Sequence, residues 1–409
     1  MDASYEQWWD PKLVIGSYFA GYLSEGLIRS IVLLMSIYVP FKFGAAVGNV
    51  TLAIILALAY IPWHFKFLIG LGMDVSPSFN RWRRRPFLAV AIGLELIGIL
   101  LLKSAERLWL GVLPALIILM AGDAILDAGM DALLLDVAPT DWHGLGMGTG
   151  WGARAIGYTV STLLTLSVQV VFGWQTAFWL FIPYALIPIP VFFINEPPVT
   201  EERVLNKESI SLTFTNKMVL TWVGMAFLGC IIYTLDPARG FLSQLTANIV
   251  TPNPAGKIYN TWFTVVPFGL ATAFSSIGMG KVIDKIGHKR GYYFSLIGAA
   301  VSVIPWFFVQ NRVTLIFASI ILGFFSGFNF TAWATVLADT TPHNFPAFMW
   351  QYYMGWLHLM AFIFGPIVVL ISTTFSISAG LIFMAVVVLI GFFPSSLLSP
   401  IETSKGGSS

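Results

Sequence analysis

The chain has one cysteine in 409 residues, and only 10% of its residues are charged. The single Cys230 excludes an internal disulfide and, set in an apolar segment, fits a small core residue better than a nucleophile. The shortage of charge excludes an ordinary soluble domain, in which about a quarter of residues are charged. A net charge of +2, with the basic residues scattered through short loops, gives no footprint for nucleic acid. The five histidines show no metal-ligand spacing, and neither a metal nor a cofactor is expected. The opening residues MDASYEQWWDPK carry no basic n-region, and the apolar run behind them is longer than a signal h-region. It is expected to be a retained first span, with Trp8 and Trp9 at the headgroup interface.

What the chain has instead is apolar residues, 57% of the total, and a mean hydropathy of +0.80. The expected fold class is all-α integral membrane. Runs of about 20 apolar residues predict twelve spans: 13–39, 46–72, 86–103, 109–135, 145–171, 176–195, 217–236, 258–280, 291–309, 313–337, 347–374 and 377–396. The one long polar segment, 196–216, is read as a cytoplasmic linker. It divides a six-helix bundle in 1–195 (the N-half) from another in 217–396 (the C-half), with a tail at 397–409. Thirteen of the 22 lysines and arginines fall on the side of the termini, six on the other and three within spans, so both termini are expected to be cytoplasmic.

Within the fourth span, GDAILDAGMDALLLD (Gly122–Asp136) sets Asp123, Asp127 and Asp131 four residues apart, on one face of a helix. A carboxylate near the centre of a membrane helix costs about 2.5–3.5 kcal/mol on insertion scales, and such residues normally face a bundle interior or a water-filled path. Glu25 and Arg29 in the first span, Lys66 in the second, Glu95 in the third and Arg154 in the fifth complete the set. The N-half thus buries five acids and three bases. Full ionisation leaves two negative charges in excess. Burial and like charge both favour the protonated acid, so one or two of these carboxyls are expected to exchange protons during transport. Asp123 and Glu95 are the candidates furthest from a base. The alternative is structural pairing throughout: Glu25 with Arg29, and Asp127 or Asp131 with Lys66 or Arg154. Arg154, fork-shaped, also suits an anionic solute. The glycines that precede it, alternating from Gly144 to Gly152, suit close helix packing rather than phosphate. In the C-half, Trp333 and His358 are expected to line a cavity.

The two halves echo each other. Gly70-x-x-x-Asp74 ends span two and Gly280-x-x-x-Asp284 ends span eight; Asp136-x-x-Pro139 ends span four and Asp339-x-x-Pro342 ends span ten. Two parallel six-span repeats are an architecture of secondary transporters. The segment GKVIDKIGHKR (Gly280–Arg290) resembles the basic loop between spans of the major facilitator superfamily, and the likeness of the chain to that superfamily extends over essentially its whole length. The run Pro62–Leu88, with its RRRPF end, and the acid-rich fourth span resemble the branch of folate–biopterin transporters and muropeptide permeases. The RRRPF end is also similar to sucrose and melibiose-type carriers. That resemblance implies alternating access by a single chain, with a small solute, a coupling proton or cation and the bilayer as partners. It also implies a cytoplasmic gate formed by Asp74, Arg84, Arg85, Asp284, Lys289 and Arg290, with Asp136 and Asp339 at the matching span ends. The same basic residues also fit topology and headgroup contact alone.

Three functions therefore stand as expectations. The first is a secondary transporter of a small anionic or polar organic solute in the cytoplasmic membrane. The second is a transporter-like scaffold or lipid-handling protein. The third is a Mg²⁺-dependent membrane transferase using the aspartate stripe, although no second Asp motif accompanies it.

Overall fold

A computed structural model describes residues 10–44, 49–75, 83–139, 142–196, 254–341 and 346–396. All regular structure among them is helical. In the N-half the main helices are α1 (Pro11–Phe43), α2 (Asn49–Ala59), α3 (Lys66–Val75), α4 (Arg85–Ser104), α5 (Leu113–Val137) and α6 (His143–Phe172). In the C-half they are α7 (Pro254–Ile286), α8 (His288–Val301), α9 (Arg312–Thr340), α10 (Pro346–Thr374) and α11 (Ile377–Ile390). Local chemistry sets several of their ends. Asp10 caps α1 by accepting from the amides of Lys12 and Leu13. Asn311 and Thr314 form a capping box on α9. Gly287, at φ 94°, makes the sharp turn between α7 and α8 that a side chain would strain.

Among the described residues, eight helical segments are long and apolar enough to cross a membrane, and they coincide with expected spans three to six, eight to ten and twelve. Spans one and eleven are also continuous helices, α1 and α10. Span two departs from expectation. It breaks into α2, a turn at Ile61–His64, and α3. Pro62 supplies no amide donor there, and the amides of Trp63 and His64 fold back onto the Tyr60 carbonyl. Span six is a succession of short α and 3₁₀ turns, broken around Pro183, Pro188 and Pro190. Span seven, the linker beyond Glu196 and the tail lie outside the described residues.

The polarity of the molecule is inverted relative to a soluble protein. Phe274 (78% exposed), Leu110 (76%) and Leu370 (64%) face outward, while Lys66, Glu95 and Asp123 are wholly buried. Only a lipid surround makes that arrangement favourable. Within the N-half α1 packs on α6 and α4 on α5; within the C-half α7 packs on α9. The halves meet through two equivalent seams, α3 with α10 and α6 with α7. In the repeat these are span two against span eleven and span five against span eight.

Candidate functional site

Four of the five helices that carry the N-half charges, α1, α3, α5 and α6, bring six of the eight charged residues into one network. Arg154 on α6 donates through Nε and Nη2 to Glu25 Oε2 on α1, at 3.0 and 2.7 Å, and through Nη2 to Asp127 Oδ1 on α5 at 2.5 Å. Lys66 on α3 donates to the other oxygen of Asp127 at 2.6 Å. Arg29, one turn beyond Glu25, lies 3.2 Å from its Oε1 and 3.7 Å from Asp123 Oδ2. The indole of Trp63 donates to Asp123 at 3.1 Å, and Trp63 is sandwiched between Arg29, 3.7 Å from its ring centroid, and Lys66, 4.6 Å away. Gly26 and Gly157 allow this convergence. A Cβ on Gly26 would overlap the Arg154 carbonyl and one on Gly157 the Leu23 carbonyl, so α1 and α6 touch backbone to backbone where Glu25 meets Arg154.

Three carboxylates, Glu25, Asp123 and Asp127, thus face three cations, Arg29, Lys66 and Arg154. The charge excess evident in the sequence resolves onto the two acids that remain. Glu95 on α4 is fully buried, and neither of its oxygens has a hydrogen-bond partner among the described residues. It packs against Gly122, where a Cβ would come within 2.9 Å of its Cγ. Asp131 is held without a cation: Oδ1 accepts from Tyr18 at 3.1 Å and from Tyr22, and Oδ2 from Trp350 at 2.5 Å and Gln351 at 3.1 Å. The expected separation of Asp123 from any base is not what the structure shows, because Arg29 stands beside it; the Oδ1 of Asp123 alone is unpartnered. Of the two aspartates expected as partners of Lys66 or Arg154, Asp127 takes both cations, and Asp131 is held by neutral donors instead.

At the seams between the halves the sequence echo becomes a structural one. Asp74 Oδ1 accepts from Arg84 at 2.8 Å and Arg83 at 3.3 Å, while Oδ2 accepts the Phe348 amide at the start of α10, at 2.8 Å. Asp136 accepts from Arg84 at 3.0 Å and Arg83 at 3.5 Å. Gly70 lies against α10 so closely that a Cβ would come within 2.5 Å of the Ala347 carbonyl. In the other half, Gly280 would meet the Gly144 carbonyl at the start of α6, also within 2.5 Å, and Asp284 occupies the space a Gly144 side chain would need. Here a histidine stands where the arginines do. His288 contacts Asp284 at 3.1 Å through Nε2 and Asp339 through Nδ1, and His143 contacts Asp339 at 3.3 Å across the halves.

Arg85 lies 3.3 Å from Glu196, whose carboxylate also accepts the amides of Arg83, Arg84 and Arg85 and so caps α4. Burial raises the Glu196 carboxyl above its usual range, against the opposing pull of those amides and of Arg85. Burial works against the charge of Arg84, yet Asp136 and Asp74 hold its guanidinium above its ordinary value.

Of the expected gate residues, Asp74, Arg84, Asp136, Asp284 and Asp339 lie in these clusters. Lys289 instead lies over the Tyr293 ring, 6.0 Å from its centroid, and Arg290 is exposed. Sequence reasoning missed His143, His288, Arg83 and Glu196. The spacing of Asp284 and His288, one helical turn apart, was a signal for the second of these. Trp333 is fully buried among apolar residues, and among the described residues its indole N–H has no hydrogen-bond partner, so it does not line an open cavity as expected. The His358 side chain lies outside the described residues. As for the stripe as a metal site, Asp127 and Asp131 are occupied by protein donors. Among the described residues no three His, Cys, Asp or Glu side chains converge as such a site requires.

Comparison with known proteins agrees with this fold. Residues 240–408 match the pattern of the Major Facilitator Superfamily. The human organic anion transporter TETRAN superposes with a TM-score of 0.71 at 15% identity, covering 95% of this chain and 100% of its own. The chain has the major facilitator fold. The fucose:proton symporter FucP of E. coli has the same fold, with a TM-score of 0.68 at 14% identity over 96% of this chain and 98% of its own. The chain is also similar to the multidrug resistance protein MdtG of Salmonella choleraesuis (strain SC-B67), 26% identical over 287 residues and 67% of each chain.

Proposed function

We propose that this protein is a secondary transporter that moves a small organic solute, anionic or polar, by alternating access and couples that movement to protons. The observation that carries the reading is the buried network: three acids and three bases paired among themselves, plus two carboxyls without a cation among the described residues, next to seams that join the halves. Charges at such depth are costly unless they serve a path. The contacts of Asp74 and Asp284 with the starts of α10 and α6 support a state closed on the side of the basic loops. That side is the cytoplasmic one by the distribution of Lys and Arg. Glu95 is the group best placed to carry a proton, since it is buried with nothing to stabilise an anion; Asp123 retains one free oxygen beside it in the network. Relatives named for organic anions, fucose:proton symport and multidrug resistance support a transporter over the transferase reading. The Pro62–Leu88 run keeps pterins and muropeptides among the solutes to try first.

Thermal stability of the purified protein, measured at pH 5.5 and 8 against pterins, sugar conjugates, amino-sugar peptides and organic anions, tests this reading. A ligand bound only by the folded state raises apparent stability in proportion to ln(1 + [L]/Kd). One class is expected to give a pH-dependent shift that disappears in Arg154→Ala. No shift from any class at either pH, together with binding of lipids, would favour the scaffold or lipid-handling alternative instead.

A further inference from the structure

Asp131 stands apart from the rest of the buried set. Its two oxygens are divided between the halves: Oδ1 holds Tyr18 and Tyr22 of α1, and Oδ2 holds Trp350 and Gln351 of α10. The indole N–H and the carboxamide NH₂ only donate, so both need an acceptor at Oδ2. A carboxylate meets that need on both lone pairs, whereas a protonated carboxyl turns one of its oxygens into a donor. The charged groups facing Asp131 are Lys66 from α3, Asp127 one turn away on α5, and Arg154 from α6; from α1 come the phenols of Tyr18 and Tyr22, while the nearest donors of α10 do not titrate. Asp127 already engages both cations. The network also reaches the C-half a second way: Arg154 lies 4.4 Å from the Trp151 ring, and Trp151 stacks on Phe330 of α9 at 4.8 Å.

We propose that Asp131 is the positioning residue that links the buried charges to the movement of the halves: as an anion it latches α10 to α5, and taking up a proton releases that latch. The inference rests on the alternating-access reading. During transport Lys66 and Arg154 are drawn toward a solute or toward a neighbouring acid, and Asp131 then loses the only nearby positive charge that favours its ionised form. Proton uptake at Asp131 follows, the bonds from Trp350 and Gln351 lose the charge assistance of a carboxylate acceptor and weaken to neutral ones, and the seam is freed to open on the basic-loop side. The latch thereby makes opening of the α3–α10 seam depend on the state of a network whose charged groups all lie in the N-half.

The test is a distance distribution between spin labels on the full-length protein at Lys12→Cys and Lys285→Cys, with Cys230→Ser, in lipid across pH 5 to 9. Both labelled positions are exposed, one in each half on the basic-loop side. In otherwise unchanged protein the long-distance population is expected to rise as pH falls. Asp131→Asn, isosteric with the protonated acid, is expected to enrich it about tenfold at pH 8 and to remove its pH dependence. Trp350→Phe, which keeps the ring and deletes the N–H, serves as the second variant and is expected to shift the population the same way while keeping a residual pH dependence. A pH-dependent separation of the halves that is identical in Asp131→Asn and Trp350→Phe would overturn the latch and leave the transporter reading standing. Halves that never separate, in any variant at any pH, would overturn alternating access and the latch with it.

Discussion

Arg154→Ala is expected to be the most damaging single change in the membrane-embedded part of the protein. The guanidinium makes three contacts of 3.0 Å or less with two carboxylates, and the side chain is 8% exposed. Its removal leaves Glu25 and Asp127 facing each other in a medium that screens them poorly. Breaking a buried ion pair from one side typically costs about 3–5 kcal/mol, because the remaining charge is uncompensated. Arg29→Ala is expected to cost less, since its contacts are longer, 3.2 and 3.7 Å. The origin of the loss can be isolated by adding Glu25→Gln to Arg154→Ala. Thermal unfolding in detergent should then recover a good part of the lost stability, because an amide is far cheaper to bury unpaired than a carboxylate. Transport should not recover. If Arg154→Ala unfolds at the same temperature as the unchanged protein, the network is not the energetic centre described here.

The second large effect is expected at the seams. Gly280→Val and Gly70→Val each place a branched side chain where even a Cβ would lie 2.5 Å from a backbone carbonyl of the opposite half. Backbone on both sides cannot give way as a side-chain tip can. The seam sealed in this structure therefore becomes unattainable, while each half keeps its own core. Transport is expected to be lost, with thermal stability falling by only about 1–3 kcal/mol, the usual range for overpacking. The label pair at positions 12 and 285 should report the separated halves almost exclusively, at any pH. A sealed distance distribution in Gly280→Val would mean that the α6–α7 seam is not the contact that closes this side.

How far the molecule was legible in its sequence follows from the range of the interactions. Span positions follow from runs of apolar residues, which need no partner to be read, and they agree with the described helices. The aspartate stripe was legible for the same reason: a four-residue period on a helix fixes one face. The Glu25–Arg29 pair is one helical turn and was expected. What the pattern left open was partner assignment across helices. Asp127 and Asp131 are equivalent in pattern, and only the packing of α3 and α6 gives Lys66 and Arg154 both to Asp127. The donors to Asp131 from α10 lie about 220 positions away in the chain, beyond the reach of any periodicity. The basic cluster after Asp284 was read by its charges, Lys289 and Arg290, although His288 is the residue one turn from Asp284 and so on its face. Span two was read as continuous because hydropathy does not register the amide that Pro62 lacks.

The most direct test of the central claim is proton movement accompanying solute movement in proteoliposomes, followed with an internal pH dye as each solute class from the stability panel is added outside. The unchanged protein is expected to carry protons with one class of solute, and Glu95→Gln combined with Asp123→Asn to bind that class without the pH change. Identical pH traces and identical solute flux in the two proteins would contradict a coupling path through the buried carboxyls of the N-half.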